Sequence, residues 1–436
     1  MDLLIYLEKD SPRLQYIFHH IFHHVLGLNI VFTQDQKFFL ESKIPKINYS
    51  KKSFSDELFF YASNFLFESN LKKQDLVFST YNGVKIFFLC NNSALPFDPF
   101  ASSFYMLTRY EEYLPHKKDR FGRFSVENSI AFIHGFLTTP VVDYWILFIK
   151  DRLKDRFPNL KFKQNSFKFI NSIDVDNAYA YLEKGFFRNL GGLVKDLFSF
   201  RFKKICNRFH VLFFQEKDPY DTYSYILSMH RKYNLTSIFF FLLGDYRFYD
   251  RNINPNNLHF QNKIKDISQH CDVGIHTSMF SVKKPQNINI EIARLEHILN
   301  KKILNNRQHF LLLNLPQNYK NLIKSGIQHD YSMGFASYPG FRAGTSYNFY
   351  FFDLEDNCTT NLLIHPFSVM DVSLRLYLNL QPVKAFSLIQ QLVKHVKYVN
   401  GTFISIWHNE SLNDQGKWGG WSLVYEDMIK YIFDDN

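Results

Sequence analysis

Apolar and polar residues alternate at the start of the chain, in LLIYLE (3–8), which predicts an opening strand. The next segment, SPRLQYIFHHIFHHVLG (11–27), repeats its apolar residues at helical spacing. Ser11 suits its N-cap, Pro12 its first turn and Gly27 its end, so a helix is predicted across it. A second amphipathic helix is predicted over VVDYWILFIKDRLKDRF (141–157), stopping before Pro158. The pattern loosens at PNLKFKQNS (158–166). We expect a domain boundary there, with a smaller N-terminal α/β domain over 1–160 and a second domain over 161–436.

After the boundary, strand-like and helix-like patterns take turns. Strands are predicted at FKFINSIDV (167–175), LTSIFFFLLG (235–244), DVGIH (272–276), QHFLLLN (308–314), TNLLIHPF (360–367) and GTFISIWHN (401–409). Helices are predicted at 221–234, 261–271, 288–302, 318–326 and 384–399. Strands separated by helices of this length imply a parallel sheet with crossover helices, either open or closed into a (β/α) barrel. There is no internal repeat.

Composition refines this picture only a little. A chain of 436 residues is long for one average core, which agrees with two domains. With 46% hydrophobic and 21% charged residues it is an ordinary globular chain rather than a disordered one. The four cysteines, Cys90, Cys206, Cys271 and Cys358, have no zinc or disulfide spacing and read as reduced thiols. The start gains acids within ten residues, so no signal peptide is expected. FFFLL (239–243) is too short to span a bilayer. The expected location is the cytoplasm, at the inner face of the membrane if the basic insert described next docks there.

The net charge is +10, a balance that suits anionic surfaces or a lysine-rich solvated exterior. No nucleic-acid-binding motif accompanies it, and nucleic acid is not expected as a partner. One insert, KGFFRNLGGLVKDLFSFRFKKICNRF (184–209), holds seven Lys or Arg and one acid, interleaved with Phe and Leu. It can lie on an anionic membrane or clamp a charged glycan, or fold as a flap whose Phe face packs on the barrel. His19, His20, His23 and His24 sit at i and i+4. That spacing can chelate a metal, but no carboxylate or Cys nearby completes the set, so a plain helix is the simpler reading.

Ligands gather at the C-terminal ends of strands in α/β sheets and barrels. Asp174 and Asp176, His276 and His408 all fall at predicted strand ends, and Arg307 and His309 at the start of another. Carboxylates and imidazoles converging on one mouth make a metal-hydrolase composition.

Residues 166–410 also resemble the polysaccharide deacetylase family, the NodB-type carbohydrate esterases. The resemblance rests on S-I-D-V-D (172–176), on VGIHTSMFS around His276, on Arg307 in NRQHF, and on SIWHN closing at His408. It implies a distorted (β/α) barrel and removal of acetyl groups from N-acetylated sugars with a divalent metal, zinc being the expected ion. The implied roles are Asp174 as general base, Asp176 and His276 as metal ligands, His408 as general acid, and Arg307 beside the base. Tyr179 and Arg342 are the candidate substrate contacts, and Glu410 a candidate to orient His408. The family places a second His four residues after the first, where this chain has Phe280. His309 is then the candidate third ligand. Without one, the chain would be a non-catalytic glycan-binding member. The whole chain resembles a narrower bacterial group that joins such a domain to an N-terminal domain of unknown function, through PFDPFASSFYMLTRYEEYLP, DVDNAYAYLEKG, RQHFLL, DYSMGFASYPGFRAG and WHNESL.

Overall fold

A computed structural model describes residues 2–433. The N-terminal segment forms a four-stranded parallel sheet from β1 (Asp2–Leu7), β2 (Asn29–Thr33), β3 (Lys46–Ser50) and β4 (Leu58–Tyr61), in the order β2-β1-β3-β4. The predicted helix after β1 starts as expected: Ser11 Oγ accepts from Leu14 N–H and Pro12 occupies the first turn. It is α-helical only over Pro12–Phe18 and widens to a π-helix over His19–Val25. A small hairpin, β5 (Ser79–Tyr81) and β6 (Val84–Ile86), and the helices Pro99–Leu107 and Val141–Arg156 complete this part.

The second part is a nine-stranded sheet. Its strands are β7 (Lys168–Val175), β8 (Thr236–Leu242), β9 (Asp272–Thr277), β10 (Asn305–Gln308), β11 (His329–Asp330), β12 (Phe349–Asp353), β13 (Cys358–Ile364), β14 (Val369–Met370) and β15 (Thr402–His408). They lie in the order β12-β13-β11-β10-β9-β8-β7-β15-β14. All neighbours are parallel except β12 with β13. The fold is thus mixed α/β with a mainly parallel sheet, as the alternating pattern implied. Its hydrogen bonding ends at β12 and β14 rather than closing into the expected barrel.

Side-chain parity on these strands decides where the chemistry lies. Successive strand residues point to opposite faces. Phe169, Ile173 and Val175 on β7, Phe239 and Phe241 on β8, and Val273 and Ile275 on β9 join the large core under the flanking helices. Ile238 and Phe240 on β8 and Ile404 and Ile406 on β15 form a smaller apolar cluster on the other face. The register pairs His408 with Asp174, Asp174 with Phe240, Leu242 with His276, and His276 with Arg307. All four polar residues therefore project from the face of the smaller cluster. Gly274 is needed there, since a Cβ would stand 2.5 Å from the Phe240 ring. That ring in turn supports the Arg307 guanidinium, 4.5 Å from its centroid.

QHFLLLN does not extend as a strand. β10 ends at Gln308, and Phe310 and Leu311 both adopt positive φ, at 60° and 51°. Three consecutive buried leucines satisfy a turn packed in the core as well as a strand, and periodicity cannot separate the two over so short a run.

The two parts share one contiguous core that runs from Leu3 to Ile432. Buried polar pins cross between them. Arg342 donates to Glu112 through Nε (2.9 Å) and Nη2 (2.6 Å), and Glu112 also accepts from Arg109 Nε (2.7 Å). Asp143 accepts from the Ser346 backbone N–H (2.7 Å), from Ser346 Oγ (2.6 Å) and from Thr345 Oγ1.

Candidate functional site

A cleft of about 190 Å³ lies at the C-terminal ends of β7, β9, β10 and β15. Asp174, Asp176, His276, His309 and His408 all line it, with Arg123, Phe310, Met370 and Tyr377 at its walls. Asp176 sits one residue past β7 and keeps about a third of its side chain exposed, while Asp174 and His276 are buried.

Asp176 is the hub. Its Oδ1 lies 3.0 Å from His276 Nε2 and its Oδ2 lies 3.3 Å from His309 Nε2. Ligand atoms of these three residues all fall within 4.8 Å of one another, and they are the one such group of His, Cys, Asp and Glu among the described residues. The partners behind the rings set their tautomers. His276 Nδ1 is 2.8 Å from the Arg307 carbonyl oxygen, which can only accept. His309 Nδ1 is 2.8 Å from Asp250 Oδ1. Both rings therefore hold a proton on Nδ1 and turn an Nε2 lone pair toward Asp176.

Lone pairs then face carboxylate oxygens at close range, and Asp176 Oδ1 has no hydrogen-bond partner although buried. Only two things relieve such an arrangement: further protons on the rings, or a shared cation. The donor set, one carboxylate and two imidazoles each backed by a carbonyl or carboxylate, fits a divalent metal with open positions. Burial lowers His309, but the Asp176 and Asp250 carboxylates outweigh it and lift the ring to about 9. Burial pushes Asp176 up, but His309, His276 and His408 hold its carboxyl well below the usual range.

Asp174 stands beside this group, its Oδ2 3.8 Å from His276 Nε2. Its Oδ1 accepts from Arg307 Nη1 at 2.8 Å. Arg307 is fully buried, donates also to Ser172 Oγ and to the Tyr331 carbonyl, and keeps Nη2 unpartnered. On the neighbouring strand β15, in register with Asp174, His408 Nε2 is 3.8 Å from Asp176 Oδ2. Asp371 clamps His408 twice, accepting from its backbone N–H and from Nδ1, both at 2.8 Å. Burial lowers His408, but Asp371, with Asp176 and Asp174, raises it to about 10.

Several expectations need correction. Glu410 does not orient His408; it faces Tyr220 and Lys417, and Asp371 holds the ring instead. Arg342 is not a substrate contact at the mouth, because it is buried against Glu112 and the Gly334 carbonyl. Tyr179 is also outside the cleft lining, packed edge-on to Tyr223. Phe280 does not fill a ligand position: its ring lies under the Arg247 guanidinium at 3.5 Å. Its backbone N–H, with that of Met279, instead donates to Asp250, the carboxylate that holds His309. His365, at another strand end, stacks on Tyr331 away from the cleft. Burial holds His20, in the run of four histidines, down at about 3.

Sequence reasoning missed Asp250, Asp371 and Arg123. Asp250 lies in a loop and Asp371 directly after the two-residue strand β14, positions with no periodic signal, 59 and 37 residues from the histidines they hold. Arg123 comes from the N-terminal part and donates to the Phe310 carbonyl (2.6 Å) and to Tyr377 Oη (3.2 Å). It brings the first 160 residues to the wall of the cleft. The positive φ of Phe310 costs on the order of 1–3 kcal/mol, and it turns the chain just after His309.

Comparisons with known proteins add the following. A family model described as "Family of unknown function (DUF7033)" matches residues 3–158. No curated protein sequence matches the chain. Among solved structures the chain is similar to one from Mycobacterium smegmatis described as a polysaccharide deacetylase, at 13% identity and a TM-score of 0.41, covering 61% of this chain and 85% of that one. It is also similar to a polysaccharide deacetylase from Bacillus cereus, at 10% identity and a TM-score of 0.32, covering 62% and 88%. A 7,8-dihydropteroate synthase from Vibrio fischeri ES114 follows at 10% identity and 0.29, covering 63% and 95%. These similarities span unlike chemistries, so the reading of function rests on the cleft itself.

Proposed function

We propose that this chain is a metal-dependent hydrolase that removes the acetyl group from an N-acetylated sugar of a surface polysaccharide or its precursor. The observation that carries the reaction class is the convergence of Asp176, His276 and His309 with Asp174 and His408 in one cleft. The sugar substrate follows the motif resemblance of residues 166–410 to the NodB-type esterases.

In this reading Asp176 Oδ and the Nε2 atoms of His276 and His309 hold a divalent ion, zinc by its preference for imidazole and carboxylate. Such an ion would supply Lewis acidity toward the acetamide carbonyl. The rest falls to the protein. Asp174 takes the proton of the attacking water. Arg307 fixes Asp174, donating to its Oδ1 at 2.8 Å from a fully buried guanidinium. His408 carries the opposite proton and delivers it from Nε2 to the leaving amine, while Asp371 stabilises its charged form. Amide hydrolysis requires a base for the water and an acid for the leaving amine, and Asp174 and His408, register partners on neighbouring strands, offer the two.

The test is metal content together with acetate release from a panel of N-acetylated sugars. Asp174→Asn should keep the metal and the fold and lose turnover by about 10²–10⁴-fold. Unchanged acetate release in that variant would sink the assignment. A chain that binds sugar but takes up no divalent ion would instead be the non-catalytic glycan-binding member.

A further inference from the structure

Two helices, Gly185–Phe198 and Phe202–Phe213, form a hairpin that stands on the body of the protein with its amphipathicity inverted. A helix of a globular protein normally buries its apolar stripe and shows its charges to water. Here Phe186, Phe187, Leu190, Val194, Leu197 and Phe198 recur at helical spacing and all are exposed, Phe187 at 86% and Phe198 at 80%. Phe202, Phe209 and Phe213 continue the surface on the second helix. The inward contacts are mostly polar. Arg208 lies over the Tyr181 ring and Arg188 donates to the carbonyls of Asn252 and Arg251, with Val211 the buried apolar side chain beside them, while Arg208 also ties the two helices together through Asp196 at 2.8 Å. The alternative that the Phe face packs on the body is therefore not realised.

We propose that this hairpin docks the protein on an anionic lipid bilayer, with the Phe stripe in the acyl boundary and the basic side chains at the headgroups. Charge selects the occupant. Residues 184–209 carry seven Lys or Arg and one acid, and that acid is already paired with Arg208. Lys195, Arg201, Lys203 and Lys204 are exposed beside the apolar stripe, with long stems that let a cation reach the headgroups. A second copy of the chain would bring the same cations against these, which disfavours a self-complementary contact. The same cations also line a cavity of about 760 Å³ at the hairpin's flank, where Lys184, Arg251 and Lys417 add to the positive field. No helix among the described residues is long and apolar enough to cross a membrane, so the contact is peripheral.

The docking surface is also linked to the cleft. Arg188 of the hairpin stacks on Tyr246 at 4.2 Å. Exposed Phe248 and Tyr249 follow, and Tyr249 meets Phe310 of the cleft wall at 5.5 Å. Asp250 of the same loop holds His309. Docking would bring that loop toward the lipid and the cleft within reach of substrate held there.

Flotation of the full chain with phosphatidylcholine vesicles, with and without phosphatidylglycerol, tests this. The protein should float only with the anionic vesicles and be released by salt. Phe187→Ser with Phe198→Ser should weaken partitioning about a hundredfold, the burial of two phenyl groups. Lys203→Glu with Lys204→Glu should weaken it at least about tenfold and flatten its salt dependence. Divalent metal binding by each variant should match the parent, showing that the fold and the cleft are intact. Failure to float with anionic vesicles would overturn the proposal. So would a dimer in light scattering that the Phe variant dissociates, since a second copy would then cover the stripe.

Discussion

Replacing Asp250 by Asn tests the metal site without touching a ligand. Asp250 Oδ1 accepts from His309 Nδ1 and from the Met279 N–H, both at 2.8 Å, and Oδ2 accepts from the Phe280 N–H at 3.2 Å. The carboxylate thus fixes the tautomer that aims the His309 Nε2 lone pair at Asp176, and it raises the basicity of that nitrogen. An Asn of the same shape cannot satisfy all three donors, because one of its two heads is itself a donor. It also removes the charge that favours a cation next to the ring. Loss of such a supporting carboxylate weakens metal binding about 10–100-fold, or roughly 1.4–2.7 kcal/mol. Competition of the protein with a chromophoric chelator for zinc at fixed pH measures the change directly. His309→Ala in parallel should lose far more, since it removes a ligand. Affinity within twofold of the parent in Asp250→Asn, beside a large loss in His309→Ala, would refute the supporting role. An unchanged affinity in His309→Ala would refute the ligand set.

Two further predictions concern the seam between the two parts. Arg342→Ala leaves Glu112 buried with only Arg109 as a charged partner, and should lower unfolding free energy by about 3–5 kcal/mol, read by denaturant titration; a change below about 1 kcal/mol would show that the pin is dispensable. Burial pushes the Asp143 carboxyl up to about 7 against its hydrogen bonds from Ser346 and Thr345. Its folded pKa is then above its unfolded one, so the folded state binds the extra proton between roughly pH 4 and 7. Its contribution to stability is full below about pH 4 and is lost as pH rises toward 7. The Tm difference between parent and Asp143→Asn should therefore drift across that window and level off above it, and a difference constant with pH would exclude the shift.

Local pattern alone was enough for the strands that carry Asp174, His276 and His408, because a buried parallel strand reads as a short, mostly apolar run that ends where the polar residues begin. The same logic marked Ser11 and Pro12 as a helix start, since a cap is a local hydrogen bond. Tertiary structure decided the rest. Strand order and register were needed to bring Asp174, His276, Arg307 and His408 to one face. The third imidazole could not be chosen from spacing, because His309 reaches the cleft through a turn with positive φ at the next residue, inside a run that reads as strand. Asp250 and Asp371 left no trace, since a lone carboxylate in a loop or after a two-residue strand has no period. Arg342 was misread because an arginine after a turn looks the same whether it meets solvent or a buried Glu112 from a distant part of the chain. The 184–209 hairpin shows the limit most plainly. Its apolar stripe is visible in the sequence, but which side of a helix faces the body is set by what the body offers, and here the body offers Asn252, Arg251 and Tyr181 to the polar side.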